Sequence, residues 1–166
     1  AWLENQQSYY LSSIRGSDSD PYKDELLDFE VRERKQEFND ALEQALSAAE
    51  EDAKTIQFNY VTFETGSANL TPLSKYELDN LVEALNKYDN MTLELAGHTD
   101  NTGDPESNVV LSDDRATAVY NYLTSKGISE DRLTHIGYGQ TRPVDTNDTD
   151  AGRQKNRRTE FRILTQ

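Results

Sequence analysis

The stretch Leu93–Ala116, LELAGHTDNTGDPESNVVLSDDRA, restricts the fold of this chain more than any other. It opens with strand-like alternation and breaks at Gly97. His98-Thr99-Asp100-Asn101-Thr102-Gly103 then forms a turn, and a helix follows. On a wheel of about 100° per residue, Leu111, Ala118, Val119, Tyr122 and Leu123 share one side. Asp113, Asp114, Thr117, Tyr120 and Asn121 share the other, and Arg115 falls within the apolar side. A guanidinium cannot shed its charge there, so it needs an anionic partner. Asp100, in the preceding turn, is the carboxylate aimed at it. Two readings follow. The pair is a structural pin between loop and helix, or it clamps a ligand that carries both an ammonium and a carboxylate.

The same logic orders the rest of the chain. Ile56-Gln57-Phe58-Asn59-Tyr60 alternates as a strand that continues to Glu64. Thr71-Pro72 reads as N-cap and first helical residue, and Leu78, Leu81, Val82 and Leu85 give the stripe of the helix behind it. Asp89-Asn90 ends that helix. Met91, Leu93 and Leu95 form the second strand. The helix after it stops at Lys126-Gly127. A third strand covers Arg132 to Gly139, with Leu133 and Ile136 as core. A polar loop, Gln140 to Asn156, leads to a last strand in which Phe161 and Ile163 alternate with charges. The expected fold is α/β, in the order βαβαβ-β. Helical crossovers favour parallel neighbours, giving a mixed parallel/antiparallel sheet with helices packed on one face. The loops after the first two strands and before the last converge at one end.

Residues 1–54 differ in character and are expected to form an α-helical N-terminal segment, with the main domain over 55–166. Trp2, Leu3, Tyr10, Leu11 and Ile14 suggest a short amphipathic helix, and a loop runs from Arg15 to Pro21. Tyr22 to Lys54 has no Gly or Pro, and Val31, Phe38, Ala41, Ala45 and Ala48 fit heptad spacing. This segment is a linker, a spacer to an anchor, a helix packed against the following domain, or a coiled-coil element that makes a homodimer.

Composition narrows the function. A net charge of −14 and a pI of about 4.5 argue against nucleic acid or an anionic membrane surface as partner. The chain has no cysteine, which excludes disulfides, zinc–thiolate sites and thiol catalysis. No apolar run reaches the roughly 18 residues of a membrane span, so a membrane anchor would lie outside this chain. His98, Asp100 and His135 lack metal-ligand spacing, and no metal or other cofactor is expected. Ser112, His98 and Asp100 make no hydrolase, because no GxSxG elbow is present. Gly137-Tyr138-Gly139 is no phosphate loop, because no GK[ST] follows.

Five blocks then stand in a recognisable order. They are Phe63–Pro72 (FETGSANLTP), Gly97–Gly103 (GHTDNTG), Asn108–Ala116 (NVVLSDDRA), Gly137-Tyr138-Gly139, and Asn156–Phe161 (NRRTEF). Together they resemble the OmpA-like domain shared by OmpA, Pal and MotB. The resemblance implies a non-enzymatic module that binds peptidoglycan through the diaminopimelate residue of its stem peptide. It anchors an envelope protein in the periplasm of a Gram-negative cell, attached to the outer membrane or to the inner one. It also implies that Asp100 receives the ligand's ammonium and Arg115 its carboxylate. Thr99, Asn101, Asn108 and Leu111 match positions lining that pocket, Phe63 and Glu64 its opposite wall, and Arg157 and Arg158 the segment that braces it. Glu64 stands where the family usually has Asp, and the turn Asp104-Pro105-Glu106-Ser107 is unusually acidic. Two other uses of the same fold stay open: wall attachment of a stator or secretion-machine subunit, and a protein–protein interaction module.

Overall fold

The computed structural model describes residues 23–166, with side chains from Asp28 onward. Two units divide between Glu37 and Phe38. The expected amphipathic helix around Trp2 and Ile14 lies outside the described residues. Helix α1 covers Lys23–Ser47, shorter than the expected run to Lys54. A bend and a single 3-10 turn, Glu51–Lys54, replace its last part. Between Asp28 and Glu37 the helix carries an Arg34–Glu30 ion pair one turn apart, and Phe29 is exposed.

The second unit begins at Phe38, within helix α1. Phe38, Leu42 and Ala45 are all buried in its core. Their spacing of three and four residues puts them on one helix face, and that face packs against the domain. The Phe38 ring lies 6.1 Å from that of Phe161, and the Phe58 ring lies 5.1 Å from it.

The sheet contains β1 Thr55–Gln57, β2 Thr92–His98, β3 Leu133–Gly137 and β4 Arg158–Thr165. Its order is β1-β4-β2-β3. Strands β2 and β3 are parallel, joined by the long helix α3 (Pro105–Ser125), and β4 runs antiparallel to both β2 and β1. Helix α2, Ser74–Lys87, buries Leu78, Leu81 and Leu85 completely. Leu93, Leu95, Phe161 and Ile163 point to the same core, as their alternation requires. The opposite face carries Glu94, Glu160 and Arg162, matched across the β2–β4 ladder. Among the described residues no helix is long and apolar enough to cross a membrane.

Four expectations need correction. Strand β1 stops at Gln57 instead of reaching Glu64. Beyond it, the buried Glu77 carboxylate accepts the Asn59 and Tyr60 backbone N–H groups at 2.9 and 2.7 Å. The Thr62 N–H donates to Ser74 Oγ at 2.9 Å. Those donors serve the start of α2 and not a ladder. The helix itself begins at Ser74, because Thr71-Pro72 forms a turn in front of it. Ile136 is exposed, because β3 is an edge strand and Ile136 pairs beside Ala96 on the face away from the core. The polar loop also contains a helix, α4, Asp150–Asn156. Thr149 caps it, its hydroxyl accepting from Gly152 N at 3.0 Å. The fully buried Asn156 holds the loop in front, accepting from Val144 N and Asp145 N at 2.8 and 3.0 Å.

Candidate functional site

Helix α3 lies unusually close to the sheet, and two glycines allow it. A Cβ on Gly97 would sit 2.1 Å from the carbonyl oxygen of Ser112, and one on Gly137 would sit 2.3 Å from the backbone nitrogen of Asp113. Backbone therefore rests on backbone where β2 and β3 end. The inward face of the helix is Asn108, Ser112, Ala116, Val119 and Leu123. Leu111 and Arg115 flank it, half-buried, instead of lying at its centre.

Polar clips fix the surrounding turns. Ser112 Oγ accepts from Gly139 N at 2.9 Å, and Thr99 N donates to Gly139 O at 2.9 Å. The buried Asn108 amide donates to Thr102 O at 3.0 Å and to Gln140 Oε1 at 3.1 Å, tying the turn after β2 to the turn after β3. The acidic turn has a local purpose. Asp104 is the N-cap of α3, accepting from Ser107 N at 2.8 Å, with Pro105 as the first helical residue.

These clips present Asp100 as a buried carboxylate. One oxygen accepts from Thr102 N at 2.8 Å, and the other pairs with the Arg157 guanidinium. Burial pushes its pKa up, but the hydrogen bonds from Thr102 and Arg157 prevail and hold it below the usual Asp value.

Arg115 does not pair with Asp100, contrary to the structural-pin reading. Its Nε donates to the carbonyl of Ser67 at 3.0 Å, and its guanidinium lies 5.1 Å from the centre of the Phe63 ring. Among the described residues no carboxylate is within ion-pair distance of it. Its pKa is lowered, first by burial and then by the neighbouring charge of Arg157. The site thus holds a half-buried cation whose nearby charge is of its own sign. Such a group is costly to maintain and has strong unspent capacity for an anion.

The remaining expected residues divide by position. Phe63 and Ser67 belong to a loop closed by the Phe63–Leu70 bridge, and they form the wall beside Arg115. Glu64 is exposed in that loop and accepts from Asn69 Nδ2 at 3.2 Å. Thr99 is buried, with its hydroxyl donating to Asp100 O at 2.8 Å, and Asn101 is exposed at the tip of the turn. Arg158 is buried apart from Arg157. It bonds Glu160 at 3.1 Å and Arg142 O at 3.1 Å, on the face that also carries His98. His98 shares Glu160 at 2.7 Å and stacks on Tyr138, while His135 contacts Asp113 on the α3 side. The sequence reading missed Ser67, Thr102 and Gln140. Two of them act through backbone groups, which leave no signature in residue type.

The OmpA family pattern matches residues 62–157, the segment that runs from the Phe63 wall through Asp100 and Arg115 to Arg157. The chain belongs to the OmpA family. Outer membrane porin F of Pseudomonas fluorescens is 38% identical over 106 residues, 64% of this chain and 32% of its own length. Peptidoglycan-binding protein ArfA of Mycobacterium tuberculosis is 34% identical over 101 residues, 61% of this chain and 31% of its own. Among solved structures, the cell wall anchor of the type VI secretion system from Pseudomonas aeruginosa superposes with a TM-score of 0.59. It is 30% identical, and the match covers 68% of this chain and 80% of that one. This OmpA-family chain spans about a third of the length of the first two relatives.

Proposed function

We propose that this OmpA-family domain binds peptidoglycan non-covalently, recognising the diaminopimelate end of a stem peptide, and that it anchors an envelope protein to the wall without catalytic turnover. One observation carries this reading: among the described residues the half-buried Arg115 guanidinium has no acidic partner, and the charge that bears on it is Arg157, the residue paired with the buried Asp100 carboxylate. A diaminopimelate side chain ends in an ammonium and a carboxylate on one carbon. The planar fork of Arg115 suits the carboxylate, and Asp100, fixed by Thr102, suits the ammonium. Thr99, Asn108 and Leu111 shape the turn and helix around this pair, and Phe63 and Glu64 form the facing wall. ArfA's description as peptidoglycan-binding and the cell wall anchor's likeness support the same reading. They also support a periplasmic, envelope-attached location.

A second reading keeps the chemistry and enlarges the setting, with the domain as the wall attachment of a stator or secretion machine. The 30% identity to a secretion-system wall anchor favours it. The expected homodimer would have to form through the segment before Phe38, because Phe38 and Ala45 of the heptad stripe are buried in the domain's own core.

Sedimentation with purified sacculi tests the binding reading. Wild-type protein should pellet with diaminopimelate-type sacculi. Arg115→Gln and Asp100→Asn should stay in solution while folded, because losing one partner of a desolvated charge pair costs about 2–5 kcal/mol. Equal pelleting of all three proteins would overturn it.

A further inference from the structure

The Asp100 carboxylate already has a cation on it. Arg157 follows directly on α4, and it reaches the Asp100 oxygen that Thr102 leaves free. The two partners differ sharply in exposure. The Asp100 side chain is 9% exposed, and that of Arg157 is 47% exposed. The carboxylate is therefore part of the rigid turn, and the guanidinium is an arm laid over it from solvent. The half-exposed guanidinium can return to water at little cost, while the buried carboxylate needs another cation in its place, so the pair favours exchange for an incoming ammonium. Its location also has a cost, because the arm brings a second guanidinium near Arg115, which has no acidic partner among the described residues.

We propose that Arg157 is an internal stand-in for the ligand's ammonium and thereby sets the selectivity of the site for zwitterionic ligands. The inference rests on the wall-binding reading. An incoming ammonium must displace Arg157 from Asp100. The released guanidinium, tethered at the end of α4, adds its charge to the field at Arg115 unless the ligand also brings a carboxylate. A diaminopimelate end supplies both charges, so Arg115 and the freed Arg157 share its carboxylate. A lysine end displaces Arg157 and leaves that added charge uncompensated. Discrimination thus comes from what the ligand must evict as well as from what it contacts.

The test compares two soluble stem tripeptides, one ending in diaminopimelate and one in lysine, on wild type and on Arg157→Gln, by calorimetry or NMR titration. Arg157 is exposed, and matching amide spectra establish that the variant is folded. In Arg157→Gln the lysine form should bind about two- to fivefold more tightly, the worth of one exposed ion pair, and the diaminopimelate form should bind no better. The ratio of the two dissociation constants then falls by at least that factor. Arg157→Lys, which retains a cation of similar reach, should keep a ratio close to that of wild type. An unchanged or wider ratio in Arg157→Gln overturns the selectivity role, and this includes the case where the lysine form binds neither protein. Failure of the diaminopimelate form to bind wild type and variant alike overturns the wall-binding reading itself, and this inference with it.

Discussion

The two halves of helix α3 are held down by different physics. Its C-terminal half is fixed by side chains: Val119 and Leu123 are fully buried among Leu81, Leu85 and Leu133 in one apolar core. Its N-terminal half is fixed by the absence of side chains. There the helix backbone rests on Gly97 and Gly137, and the inward residues are Asn108 and Ser112, which tie down turns instead of filling volume. The first half supplies stability through area removed from water. The second supplies position, bringing Arg115, the 99–102 turn and the Ser67 carbonyl to one end of the sheet. A binding site for a small charged group needs the second kind of packing, because its charges must be aimed before the ligand arrives.

This contrast can be broken from either side. Gly97→Val should have the largest effect. Its side chain would meet the Ser112 carbonyl, which cannot move aside without lifting the helix. A loss of more than about 4 kcal/mol in denaturant unfolding is expected, with the 99–102 turn disordered in any folded remainder. Leu123→Ala should cost about 3 kcal/mol by the same measurement, through transfer and cavity formation. It should leave stem-peptide affinity unchanged while the protein is folded, because Leu123 belongs to the half that does not aim the site.

Asn108→Ala sharpens the comparison. It removes donors to Thr102 O and Gln140 Oε1 and should cost about 2 kcal/mol of stability. Unlike Leu123→Ala, it should also weaken peptide binding, since the turn carrying Asp100 loses its tie. If Asn108→Ala and Leu123→Ala affect binding equally, the division between the two halves is wrong.

The smallest expected effect is on pH dependence. The folded-state pKa of Asp100 is depressed below the ordinary value of 3.8. Its contribution to stability is therefore fully present above that value and is lost as pH falls through the lower folded one. Thermal melts of wild type and Asp100→Asn should differ by a constant amount above about pH 5 and converge below pH 4.

What could be read from the sequence follows the same line. Strands with one buried face were legible, since Leu93, Leu95, Phe161 and Ile163 alternate and are all buried. So was α2, whose stripe has the helical period. Ile136 is misassigned because it stands three residues from Leu133, an odd spacing that puts the two on opposite faces of a strand. Helix α4 escaped notice because it has no apolar stripe, although Thr149 followed by Asp150 was a cap signal. The site was half legible. Asp100 and Arg115 could be found as two charges in one motif. Their partners could not, because Arg157 lies 57 residues from Asp100 and Ser67 lies 48 residues from Arg115. A helical wheel carries no information about either.

Arg115 has no acidic partner among the described residues, and the proposed function requires that a ligand carboxylate supply one. The direct measurement is the Nε–Hε resonance of Arg115, followed by NMR as diaminopimelate tripeptide is added. A saturable shift is predicted, with the same midpoint as the amide shifts of Thr99 to Thr102. If the Arg115 resonance stays fixed in folded protein at about millimolar peptide, the weak end of about −4 kcal/mol, the account is contradicted.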